Sequence, residues 1–288
     1  IDSMIANYTA SMKKRRSDDY TPGGLNNRRP DRAVIVYTNL IRQYFKNTRP
    51  IVLGGIEASL RRVAHYDYWS NSVRRSILFD AKADFIVYGM AERTLPELAD
   101  ALKRAADYRN IRGICYTATQ KPEETLELPP YEKVTINPQA FVRMFHEFYH
   151  QNDPITSRRL CQRHATRWLV HNPPALPLSQ SELDEVYNLN YERDAHPYYA
   201  RSGQIKALET IRFAITTHRG CYGECNFCAI AMHEGRAVQS RSQESILNEA
   251  RHFTTMPGFK GIIADVGGPT ANMYDFECRK KLTDGSCL

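Results

Sequence analysis

The sequence reads as an α/β chain, and three observations carry that reading. Short apolar runs end in glycine turns and are followed by stretches whose apolar residues recur at helical spacing. The pattern repeats through the first half, as alternating strands and helices of a doubly wound parallel sheet require. After a Pro/Tyr-rich stretch it resumes as strand, loop, helix, strand, the order that opens a (β/α) barrel.

Taken in order, Thr21-Pro22-Gly23-Gly24 and Asn26-Asn27 form a turn-rich loop. Asp31 is placed to cap a helix running to about Asn47, with Val34, Tyr37, Leu40, Ile41, Tyr44 and Phe45 on one face. Pro50 to Leu53 is a short strand closed by Gly54-Gly55, a strand–turn–helix unit. Ser72 to Phe79 is expected as a helix, and Asp84 to Tyr88 as the next strand, with Gly89-Met90-Ala91-Glu92 as its exit turn. A helix through Leu95, Leu98, Leu102 and Ala105 and a strand near Ile111 to Thr117 follow. Pro129-Pro130 and Asn137-Pro138 mark a boundary before an amphipathic helix, Gln139 to His150. The expected division is an α/β domain over 1–150, a connector over 151–204 and a barrel opening over 205–288. Arg167 to Val170 is one further strand, and the Pro/Tyr-rich stretch from Asn172 to Gln204 suits an extended linker. In the last part Ile211 to Thr217 reads as a buried strand. Ser242 caps a helix carrying Ile246, Leu247, Ala250 and Phe253, and Gly261 to Val266 reads as a second buried strand.

Composition narrows the class. Apolar residues make up 42% of 288, enough for a packed core. No apolar run approaches the ~20 residues of a membrane-spanning helix, so no membrane partner is expected. The chain opens on Ile1 and closes at Leu288, and it reads as a piece of a longer protein. The net charge of +7 is uneven: residues 1–50 hold ten Lys or Arg against four Asp or Glu, and the remainder 29 against 28. A uniformly basic nucleic-acid face is not indicated. Lys13-Lys14-Arg15-Arg16 can meet a phosphate backbone, but without interleaved aromatics it reads first as a solvated run. Tyr66, Tyr68 and Trp69 can stack on a ligand, and packing is the plainer role.

Chemistry concentrates in Arg219-Gly220-Cys221-Tyr222-Gly223-Glu224-Cys225-Asn226-Phe227-Cys228. The spacing C-x3-C-x2-C lets one loop present three thiolates. A [4Fe–4S] cluster normally takes four, so three leave one iron open for chemistry. The competing reading is a zinc knuckle completed by His218, His233 or Cys278. Cluster thiolates call for a reducing compartment, so a cytoplasmic location is expected. Cys115, Cys161, Cys278 and Cys287 are isolated and read as idle or buried thiols.

The cysteine run, with Phe227 before its last cysteine, resembles the cluster loop of radical S-adenosylmethionine enzymes. The resemblance implies Cys221, Cys225 and Cys228 as iron ligands and S-adenosylmethionine at the open iron. It further implies an electron donor of flavodoxin or ferredoxin type, and reductive cleavage to a radical that attacks a substrate. It places Gly267-Gly268 against the cosubstrate amino group, although Pro269 stands where that superfamily has a glutamate. Gly235-Arg236 and Ser240-Arg241-Ser242 resemble a basic segment beside the loop. Arg236 or Arg241 can hold a carboxylate bidentately, or simply meet solvent. The first half resembles the Rossmann-like domain that precedes the barrel in such enzymes. His65, in Ala64-His65-Tyr66-Asp67-Tyr68-Trp69, lacks the Asp-x-His-x-x-Gly pattern of a cobalamin ligand.

A narrower resemblance covers nearly the whole chain. Thr21-Pro22-Gly23-Gly24, Gly54-Gly55-Ile56-Glu57-Ala58-Ser59-Leu60-Arg61-Arg62, the His65 segment and Gly267-Gly268-Pro269-Thr270-Ala271-Asn272-Met273-Tyr274 are similar to the YgiQ-type bacterial family. That family implies the cofactors and leaves the substrate open. The alternatives at this point are a non-catalytic zinc-binding module and an RNA-modifying enzyme of the same superfamily.

Overall fold

The structure is a computed structural model that describes residues 2–223, 225, 227–269 and 271–285. Glu224, Asn226, Thr270 and Cys287, named above, lie outside the described residues.

Strand β1 (Val52–Leu53) precedes a separate antiparallel hairpin, β2 (His65–Asp67) and β3 (Ser72–Arg74). Then come β4 (Phe85–Val87), β5 (Ile114–Ala118), β6 (Leu126–Leu128), β7 (Leu160–His164) and β8 (Arg167–His171). Six of these form one sheet in the order β1-β4-β5-β8-β7-β6. Only β1–β4 and β6–β7 pair in parallel; β4–β5, β5–β8 and β7–β8 are antiparallel. The doubly wound parallel sheet expected from the alternation is thus corrected to a mixed one. One cause is local. Ala165-Thr166 alone joins β7 to β8, Ala165 at φ 53, and a link that short can only reverse the chain.

Alternate strand residues enter two apolar clusters, as the period of two demands. Ile86, Cys115, Leu160 and Leu169 pack on one face with Ala140, Met144 and Phe148 of the helix Pro138–His150. Phe85, Val87, Ile114, Tyr116 and Val170 pack on the other with Leu98 of the helix Thr94–Arg104. Both faces are covered, so the strand ends and their exit turns are what the layer offers to a neighbour.

Four other expectations are corrected. Residues 72–79 are not one helix: Ser72–Arg74 pair with His65–Asp67 across a turn in which Asn71 takes φ 48. A short helix, Ile77–Asp80, then starts under the Ser76 cap. Asp31 does not cap the helix Ala33–Tyr44, because its carboxylate accepts from Asn7 Nδ2 at 3.0 Å and Tyr8 OH at 2.8 Å. The connector expected over 151–204 opens with two strands of the sheet, β7 and the expected strand at β8, and its Pro/Tyr-rich part holds a helix, Gln180–Tyr187, started by a Ser179/Glu182 capping box. The buried strand expected over Gly261 to Val266 is a shorter one, Asp265–Gly267, and is not buried. Ile262 is 71% and Val266 56% exposed, since among the described residues only one strand flanks it.

The last part contains β9 (Ala214–Thr216), β10 (His218–Arg219), β11 (Gln239–Ser240) and β12 (Asp265–Gly267). β9 and β12 are parallel, and β10 and β11 antiparallel. The crossover between β9 and β12 holds the cysteine loop and the helix Gln243–Phe253, which Ser242 caps as expected. Among the described residues no helix is long and apolar enough to cross a membrane.

Candidate functional site: the cysteine loop

Parallel pairing brings the C-terminal ends of β9 and β12 to one edge. Beyond β9 the chain enters β10 and the cysteines; at the end of β12 stands Gly267-Gly268. His218 joins the two. Its buried ring sets Nδ1 2.9 Å from Thr217 Oγ1 and Nε2 3.3 Å from both Ala271 O and Met273 N. A Cβ on Gly268 would fall 2.2 Å from His218 Nε2, so only glycine lets the imidazole lie there. Both ring nitrogens of His218 thus lie within hydrogen-bond distance of partners. Gly267 faces open space, while its carbonyl accepts the Thr217 N–H at 2.8 Å.

The loop is clamped at its entrance. Arg219, 4% exposed, donates Nη1 to Glu92 Oε1 at 2.5 Å and Nη2 to Oε2 at 3.2 Å. Gly220 takes φ 83, and a Cβ there would strike Ala237 O at 2.0 Å. Its N–H donates to Glu234 Oε2 at 3.1 Å, and the Cys221 N–H to Gly235 O at 3.2 Å. Burial raises the Glu234 carboxyl above the usual carboxylate range and lowers the His233 imidazole.

Cys221 is 7% exposed, Cys225 exposed and Cys228 half-buried. Gly223 sits between two sulfurs: its N–H donates to Cys221 Sγ at 3.2 Å, and an added Cβ would lie 3.3 Å from that sulfur and 3.5 Å from Cys225 Sγ. The Cys228 N–H closes onto Cys225 O at 3.0 Å. Phe227 is 92% exposed. Among the described residues, no three His, Cys, Asp or Glu side chains gather as a metal-holding group. Thiolate convergence is work that a bound metal itself does. The three thiols lie on one loop, closed by the Cys228 N–H to Cys225 O contact, with no side chain at Gly223 between Cys221 and Cys225. Cys278 sits nearby, its N–H donating to Tyr222 OH at 3.4 Å.

Arg241 is a correction. Its guanidinium is buried and committed: to Glu249, to Thr216 O at 2.9 Å and to Ser245 O at 3.1 Å, over the Tyr187 ring at 4.2 Å. No face is left for a cosubstrate carboxylate. Arg236 donates to Tyr149 O at 2.8 Å and stacks on that ring. Sequence reasoning missed Glu92 as a partner of the loop. Its position in a strand's exit turn was the only signal, because its partner Arg219 is 127 residues away. Cys115 and Cys161 are buried in the sheet as idle thiols, and burial pushes Cys115 up to about 12.

The family model described as Radical SAM N-terminal matches residues 1–214. The chain belongs to that radical S-adenosylmethionine-related family. It is 53% identical over 288 residues to the UPF0313 protein of Fusobacterium nucleatum, with 100% of this chain and 51% of that protein covered. It is 51% identical over 290 residues to the UPF0313 protein of Thermotoga maritima, again covering 100% of this chain and 51% of the relative. The chain therefore spans about half the length of the curated relatives it matches. It also superposes on the solved radical S-adenosylmethionine methyltransferase TsrM from Kitasatospora setae, at 18% identity and a TM-score of 0.42, covering 88% of this chain and 35% of that one. So loose a superposition carries no argument about the site.

Proposed function

We propose that the chain is part of a YgiQ-type radical S-adenosylmethionine enzyme, with a [4Fe–4S] cluster held by Cys221, Cys225 and Cys228. One observation carries the proposal: β9 and β12 deliver the cysteine loop and Gly267-Gly268 to the same edge, tied together by His218. When bound, the cluster supplies the electron for reductive cleavage of S-adenosylmethionine. The backbone carbonyl of Gly268 offers an acceptor to the cosubstrate ammonium, and Gly267, open where a side chain would stand, leaves room for its approach. Exposed Phe227 supplies an apolar surface beside the loop. Arg241 has no part in binding; it holds the strand edge in register. In this reading the sheet layer reaches to His171, a connector follows to about residue 204, and β9 and β12 open a barrel. A flavodoxin- or ferredoxin-type donor supplies the electron in a reducing cytoplasm, and the substrate belongs to the rest of the enzyme.

Anaerobic reconstitution of the full-length protein tests this. About four irons and four sulfides per chain are expected, with loss of the cluster's absorption in Cys225→Ala. With reductant, S-adenosylmethionine should yield methionine and 5′-deoxyadenosine. Uptake of zinc without sulfide would sink the proposal in favour of a closed zinc site.

A further inference from the structure

Polar bridges fasten both flanks of the cysteine loop to the sheet layer, and the proposed chemistry uses none of them. On the entry side, Glu92 follows the end of β4 and takes both Nη groups of Arg219, two residues ahead of Cys221. The pair is substantially withdrawn from water, at 4% and 26% side-chain exposure. On the exit side, Asn152 Nδ2 donates to Ala231 O at 3.3 Å, three residues past Cys228, and Arg236 Nη2 donates to Tyr149 O. Asn152 is itself gripped by buried Arg62, whose Nη2 donates to Asn152 Oδ1 at 2.5 Å. Between the flanks Cys225 is exposed, while Cys221 is turned inward. A two-pronged carboxylate–guanidinium pair fixes orientation as well as distance. Removing one partner of a withdrawn pair leaves the other charge unpaired.

We infer that Glu92 is a positioning residue for the cysteine loop: by holding Arg219 it fixes the entry of the loop and keeps the Cys221 thiol withdrawn from solvent. The inference deepens the proposed function, resting on it only for what Glu92 means to the iron. The thiol geometry stands without it.

The test labels thiols of the metal-free full-length protein with iodoacetamide, read cysteine by cysteine by peptide mass spectrometry. Buried Cys115 in β5 reports whether the layer itself stays folded, and Cys225 reports an exposed thiol. Glu92→Gln is expected to raise Cys221 labelling roughly tenfold, equivalent to about 1.4 kcal/mol of local stability, with Cys115 and Cys225 unchanged. Arg219→Lys, which keeps the charge and loses the fork, should give a smaller rise in the same direction. Iron and sulfide taken up on anaerobic reconstitution should fall in the same order. An unchanged ratio of Cys221 to Cys225 labelling in both variants overturns the inference. So does a rise of Cys115 in step with Cys221, which reports global unfolding. If the wild-type protein takes up no iron while the labelling shifts as expected, the cluster reading fails and the positioning role of Glu92 stands.

Discussion

The sheet layer and the β9–β12 segment are held together by different forces. Around the sheet, two apolar clusters cover both faces, and the buried Arg62 is wrapped by rings of Tyr88 and Phe148 at 4.5 and 4.6 Å. It donates Nε to His171 Nε2 at 2.9 Å and has no carboxylate partner among the described residues. In the β9–β12 segment the apolar core is small, built on Phe213, Phe253 and Phe259. There the buried Glu249 accepts from Arg193 and Arg241 together, tying the connector, the turn after β11 and the helix Gln243–Phe253. A layer held by area tolerates small losses anywhere. A segment held by a few withdrawn charges depends on each of them.

The largest effect should come from that dependence. Glu249→Ala strands two arginines and is expected to cost about 3–5 kcal/mol. Urea unfolding followed by Trp168 fluorescence, against proteolysis of the 205–285 region, would show the segment opening before the sheet. Loss of both regions in a single step would erase the contrast.

Acid should strike the sheet layer instead. Burial lowers His164 to about 3 and His65 to about 4. An unfolded histidine takes its proton near 6.5, so the unfolded state binds more protons between 6.5 and those values. Stability is therefore full above about pH 6.5 and lost as pH falls towards 4 and 3, at no more than about 1.4 kcal/mol per pH unit for each histidine. Denaturation midpoints at pH 7 and pH 5 check this, and a flat profile would refute it. His164→Gln should remove part of the slope.

The smallest change in stability belongs to the site itself. Gly223 has no positive φ to demand glycine, so Gly223→Ala should shift stability by less than about 0.5 kcal/mol. Its methyl would nevertheless press on Cys221 Sγ at 3.3 Å and touch Cys225 Sγ at 3.5 Å, and iron uptake should fall while the melting temperature stays in place. Equal loading of the variant and the wild type would show that the gap between Cys221 and Cys225 has no role.

How much was legible follows the range of the interactions. The helices Thr94–Arg104, Pro138–His150 and Gln243–Phe253 were legible because an amphipathic period, and for the last a Ser242 cap, is written in neighbouring residues. The β9–loop–helix–β12 order was legible for the same reason. The hairpin β2–β3 was not, since Ser72 to Phe79 carries no decisive period and the pairing with His65–Asp67 outweighs local preference. The antiparallel entry of β5, β7 and β8 was not either, because a strand's own residues do not say which neighbour it will meet.

By itself the sequence determined the three-thiol spacing, the strand that precedes it, the glycine pair that ends β12 and the periodic helices, all features encoded within a few residues. The folded chain alone decided that the sheet is mixed, that Arg241 answers to Glu249, and that Glu92 reaches across the molecule to Arg219. Charge partners that far apart leave no periodic trace, and only the folded contact between them reveals the pair.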